Sequence, residues 1–110
     1  MKERVVKIDL TPPLAVAKSA AKGLELRDKF NRGGTAVGIA RARDLKNRRR
    51  LTMETIMRMV SYFARHEVDK KSKNFYNKAK PSNGYIAWML WGGETGKKWA
   101  NDVKKTLKDI

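Results

Sequence analysis

The sequence predicts an all-α fold: a single small domain, residues 1–110, of four to five helices with an N-terminal extended strap. Three observations predict it. Apolar residues recur at helical spacing in several stretches, glycine, proline and threonine punctuation separates those stretches, and only one short segment alternates at the period of a strand. A lone alternating segment has no partner, so no sheet is expected. A chain of this length builds one core, not two. It has no cysteine, which excludes a disulfide framework and a thiolate zinc site and suits a reducing compartment.

Residues 1–11 are the strap, with Val6, Ile8 and Leu10 at period two. Thr11-Pro12-Pro13 reads as a helix start, Thr11 capping and proline pre-setting the first turn. The first helix runs to about Lys29, with Val16, Ala17, Ala20, Ala21 and Leu24 on one side and Lys18, Lys22, Glu25 and Lys29 on the other. Asn31-Arg32-Gly33-Gly34 ends it, and Thr35 caps a second helix through AVGIARARDLK to about Asn47. Ala36, Gly38, Ala40 and Ala42 are too small to fill a core, so neighbouring backbones should approach closely and place this helix centrally.

Thr52 caps a third helix that ends near His66, with Glu54 in the favourable first turn. Met53, Ile56, Met57, Met59, Val60, Phe63 and Ala64 fall in one apolar arc, and Arg58, Ser61, Tyr62 and Arg65 fall opposite. Residues 67–82 are polar and lysine-rich and read as a flexible basic loop. GYIAWMLWGG is apolar almost all round, the pattern of a short helix enclosed by its neighbours and stopped by Gly92-Gly93. The last helix starts near Thr95, with Trp99, Ala100, Val103, Leu107 and Ile110 on one arc and Lys97, Lys98, Lys104, Lys105 and Lys108 on another. The expected core is Trp88, Trp91, Trp99, Phe63, Ile56 and Val60.

Charge carries the functional expectation. The chain has 26 Lys+Arg against 11 Asp+Glu, net +15, and +9 of that surplus lies in residues 35–80. Such a surplus repels itself until something negative neutralises it, which points to a polyanion, with DNA ahead of RNA. No apolar run reaches membrane-spanning length and the N-terminus has no signal-peptide core, so neither membrane insertion nor secretion is expected.

A helix-turn-helix can be drawn over residues 35–66, its turn carrying Arg48, Arg49 and Arg50. Those three suit phosphates, and Arg58, Tyr62 and Arg65 are the candidates for the bound face. The same three arginines also complement the negative end of the second helix without any ligand. Arg32-Gly33-Gly34-Thr35 opens a helix start whose N–H groups could hold one phosphate, with Arg32 and Arg41 beside it, or it is simply a glycine cap followed by a threonine cap. Phe75 and Tyr76 lie among Lys70, Lys71 and Lys73, where they could stack bases while the lysines follow phosphates, or fold back over the core. His66-Glu67-Val68-Asp69 is the only segment that invites a metal-dependent nuclease, and a lone histidine at a helix end has a simpler role. The last helix has the two-faced pattern of a membrane-surface binder, which docking onto the domain explains more simply. No metal ligand set and no cofactor are expected.

The segments GGTAVGIARARDL, SYFARHEVDK and PSNGYIAWMLWGG resemble a small uncharacterised domain of tailed-bacteriophage proteins, over roughly residues 18–100. The Lys70–Lys80 segment departs from that domain, being lysine-rich where the family carries more glycine and tryptophan. The resemblance implies an accessory protein, often associated with virion or head, in the host cytoplasm or the virion. It implies no residue roles. The expectation is therefore a non-enzymatic nucleic-acid-binding phage accessory protein. The alternatives are a protein–protein module, either a virion component or one gripping an acidic host protein, and third a metal-dependent nuclease.

Overall fold

The computed structural model describes residues 9–108, so Val6 and Ile8 of the strap and Ile110 of the last arc lie outside the described residues. Five α-helices follow one another: α1 (Leu14–Phe30), α2 (Ala36–Lys46), α3 (Met53–His66), α4 (Asn83–Leu90) and α5 (Gly93–Lys108), with a 3-10 helix (Glu67–Lys71) directly after α3. No strand occurs among the described residues, and the domain is all-α.

The helix starts follow local chemistry. Thr35, Thr52 and Ser82 cap α2, α3 and α4, each side-chain oxygen accepting from a backbone N–H three residues on. Thr11 does not cap α1, contrary to expectation. The two prolines delay the start, so Pro13 takes the cap position with extended backbone, and the Thr11 N–H instead donates to Asp9 Oδ1 at 2.9 Å. α5 likewise begins at Gly93, two residues before the expected Thr95.

The central element is α4, not α2. It packs against every other helix, burying Ile86, Trp88 and Leu90. α2 packs only on α1 and α4, through Gly38, Ala42 and Leu45, and its Ala36 and Ala40 are exposed. Small residues there permit close approach, but the tightest approach lies elsewhere. A Cβ on Gly23 of α1 would sit 2.5 Å from the Leu90 backbone nitrogen and 2.7 Å from the Met89 carbonyl carbon of α4.

The helix-turn-helix expected at 35–66 does not form as a packed pair, because α2 and α3 make no helix–helix contact. The connection between them is tied to the preceding segment instead. Leu51 N–H donates to the Leu10 carbonyl at 2.9 Å, Arg48 Nε to the Pro12 carbonyl at 2.8 Å, and Leu10, Pro12 and Leu51 are buried. α3 then packs on α5 and, more lightly, on α4.

The buried arc of α3 also differs from expectation. It holds Ile56, Met59, Tyr62 and Phe63, while Met57 and Ala64 are exposed. The helix is turned toward Tyr62 because Trp91, at the end of α4, offers that ring a flat surface. Nor is segment 67–82 a plain loop. Its first five residues are the 3-10 helix, and Phe75, 1% exposed, enters the core against Trp88 and Tyr85. Of the expected core, Trp88, Trp91, Phe63 and Ile56 are buried, and Val60 and Trp99 are partly buried against them.

Candidate nucleic-acid interface

Because α2 and α3 both lean on α4 without touching each other, an open groove of about 860 Å³ remains between them. One wall is the start of α2, formed by Gly33, Gly34, Thr35 and Val37; the other is α3, with Met57, Arg58, Ser61 and Arg65. Val37 (53% exposed) and Met57 (39% exposed) make the lips apolar. The glycine pair is required by the turn. Gly33 and Gly34 have φ of 93° and 79°, and side chains there would run into Ile86 and Leu90 of α4. That steric need explains the glycines, and the Thr35 hydroxyl accepts from the Gly38 N–H.

The groove's floor is a layered stack. Tyr62, only 5% exposed, lies parallel to Trp91 with centroids 4.5 Å apart and planes at 7°, and His66 stacks on it at 4.4 Å. The Arg41 guanidinium lies over Trp91 at 5.8 Å. His66 Nδ1 pairs with Asp69 Oδ2 at 2.9 Å. The Tyr62 hydroxyl is buried and has no hydrogen-bond partner among the described residues. Burial, with the nearby Asp69 charge second, pushes its pKa well above the ordinary tyrosine value, so it stays protonated.

The sequence candidates separate into four groups. Arg58 and Arg65 share the α3 wall with Tyr62, but Tyr62 is floor rather than reaching side chain, and Arg58 lies 3.9 Å from the exposed Glu54. Arg48, Arg49 and Arg50 are exposed on the α2–α3 connection, where Arg48 adopts φ 51° and Arg49 stands 3.9 Å from Asp44. Lys71, the last residue of the 3-10 helix, and Lys73, just after it, are exposed.

The remaining candidates hold the fold together. Arg32 donates to Asn83 Oδ1 at 2.6 Å and to the Pro81 carbonyl at 2.7 Å, fastening the α1–α2 turn to the start of α4. Arg41 is taken up by Trp91 and Asp44, the latter at 3.4 Å. Lys70 bridges Glu67 at 2.8 Å and Glu94 at 2.6 Å while lying over the Trp88 ring at 4.7 Å. Burial works against its charge, but the two carboxylates outweigh that and raise its pKa. Hydrogen bonds from Lys70 and Lys97 hold the Glu67 carboxyl below its usual range, which makes it a poor base. Among the described residues no group of three His, Cys, Asp or Glu is placed to hold a metal ion, and no helix is long and apolar enough to cross a membrane.

Comparison with protein-family models, with curated proteins and with solved structures found no match. The site is thus read from its own chemistry. Sequence reasoning missed Val37, Asp69, Asn83 and Trp91 as groove residues. Trp91 and Asn83 gave no signal, since their roles depend on where α4 lies. Val37 did give one: it is a large apolar side chain set directly between Ala36 and Gly38 at the start of the helix.

Proposed function

We propose that this protein is a non-enzymatic nucleic-acid-binding module, with DNA the first candidate, that meets phosphates through exposed arginine and lysine side chains. One observation carries this: between Arg43 and Arg50 five cations stand against a single carboxylate, Asp44, and all five are exposed. Their backbone is held by the Leu51–Leu10 hydrogen bond and by the Arg48 and Arg49 N–H groups donating to the Leu45 and Asp44 carbonyls, while the Arg48 side chain is itself tied through Nε to the Pro12 carbonyl. Exposed cations on an anchored backbone are suited to phosphate recognition, because binding releases counterions and little chain order is lost. Arg58 and Arg65 extend the cationic surface along the groove wall. A tailed-phage setting rests on the sequence resemblance.

The test is DNA binding by fluorescence anisotropy over a salt series. The paired reversals Arg49→Glu with Arg50→Glu, and Arg58→Glu with Arg65→Glu, should each weaken binding and flatten the log–log salt slope by about 2, with helicity unchanged. Unaltered affinity in one pair removes that surface. Absence of DNA and RNA binding by the wild type removes the whole reading.

A protein partner is the second reading, favoured by the exposed Val37 and Met57 that face the same groove. An apolar partner segment would cover them, and its affinity would fall on Met57→Asp while changing little with salt.

A further inference from the structure

We infer that the segment after the 3-10 helix is a stacking site for an unpaired base, so that the protein engages single-stranded nucleic acid through Tyr76; this rests on the nucleic-acid reading above. Residues 71–80 hold four lysines and no acidic residue. All four (Lys71, Lys73, Lys78 and Lys80) are exposed, and none forms an ion pair among the described residues. In their midst Tyr76 is 66% exposed, the most open large apolar side chain of the described residues.

The two neighbouring aromatics divide the work. Phe75 is buried edge-to-face against Tyr85, 5.2 Å away at 86°, and against Trp88, 6.2 Å away at 74°. It in turn contacts Tyr76 edge-to-face at 4.8 Å, and Tyr85 approaches Tyr76 at 6.1 Å. Tyr76 is therefore supported from below and open above. Its backbone is fixed as well. Phe75 N–H donates to the Ser72 carbonyl at 3.1 Å, Ser82 N–H to the Asn74 carbonyl at 3.0 Å, and the Asn77 side-chain oxygen accepts from Ala79 and Lys80 at 2.9 Å each.

A supported, exposed ring on a segment rich in exposed lysines is the pairing that single strands use. The base stacks on the aromatic face and successive phosphates meet the cations, with little dependence on sequence. A duplex keeps its bases stacked on one another, so it gains the lysines but not the ring. Strandedness is then set by Tyr76, while overall affinity is shared with the arginine surface.

The experiment compares oligo(dT) and oligo(U) of about 12 nucleotides with a duplex of equal length, a span matching the usual site size of small single-strand binders. Wild type, Tyr76→Ala, Tyr76→Phe and the Arg49→Glu/Arg50→Glu pair are each titrated. Loss of one stacked base should weaken single-strand binding by Tyr76→Ala at least about fivefold, leave duplex binding within about twofold, and leave Tyr76→Phe near wild type. Single-strand affinity unchanged in Tyr76→Ala, with binding still lost in the arginine pair, overturns this inference alone. Equal weakening on both strand types also overturns it. No binding of any probe by the wild type overturns both this and the reading beneath it.

Discussion

Replacing Tyr62 by phenylalanine should stabilise the protein. The substitution removes one oxygen and keeps the ring between Trp91 and His66, so the stacks at 4.5 and 4.4 Å survive. The oxygen removed is buried without a partner, a situation that costs a folded protein about 1–3 kcal/mol. At the low end of that range the gain at pH 7 is about 1 kcal/mol, or about 5 °C in Tm. The gain should grow with pH. Burial raises the Tyr62 pKa above 10.0, so folding favours the protonated form, and the stability this confers below pH 10 is lost as pH rises toward the folded value. At pH 11 an unfolded tyrosine is about ten-to-one ionised, which takes about a further 1.4 kcal/mol from the wild type and nothing from the variant. Lysine deprotonation acts on both chains alike and cancels in the difference. Urea unfolding followed by circular dichroism at pH 7 and pH 11 measures both numbers. A variant less stable than wild type at pH 7 would refute the unpartnered hydroxyl, and a difference independent of pH would refute its burial.

Two further perturbations probe the packing beneath the site. Gly23→Ala gains about 1 kcal/mol in helix propensity, but its Cβ meets the α4 backbone at 2.5 Å, where overpacking costs about 3 kcal/mol; the expected net loss is about 2 kcal/mol, or about 10 °C in Tm. Equal or greater stability in a thermal melt would mean that α1 and α4 are further apart than described. Lys70→Met keeps a stem of similar length over Trp88 but leaves Glu67 and Glu94 without their shared cation, an expected loss of about 1 kcal/mol that shrinks at high salt. A loss unchanged between low and high salt would show that packing, not charge, is the role of Lys70.

Local chemistry was legible in the sequence where it is local in space. Thr35 and Thr52 are expected caps and each caps its helix because its oxygen needs only its own backbone, whereas Thr11, also expected, is displaced by the two prolines, and Ser82, which caps α4, is hidden at the end of a polar run that reads as loop. What was not legible depends on α4. The apolar arc of α3 is drawn correctly by its spacing to within a partial turn, yet the decision to bury Tyr62 rather than Met57 comes from Trp91, distant in sequence and brought under α3 by the packing of α4. Small residues in α2 suggested a central helix, but small residues record close approach, not position. Among the cations, sequence position could not tell Arg32, Arg41 and Lys70, which are consumed by internal partners, from Arg50, Lys71 and Lys73, which form no ion pair or side-chain hydrogen bond among the described residues. The difference is set by which acids and carbonyls the fold brings near: Asn83 for Arg32, Glu94 for Lys70.

That division has a physical consequence for binding. The cations fastened inside the fold lie over aromatic rings, Arg41 over Trp91 and Lys70 over Trp88, and each is also met by a carboxylate. Each is thus engaged from two sides, which braces the aromatic residues beneath the groove. The open cations stand on elements with independent backbone anchors, the Leu10–Leu51 tie for the arginines and the Asn74–Ser82 tie for the lysines. A binding surface built this way loses order only in the long side chains that reach the ligand, because the backbone beneath them is already fixed. Loosening an anchor should therefore weaken binding without removing a single charge, which separates preorganisation from electrostatics in a way that charge reversal cannot.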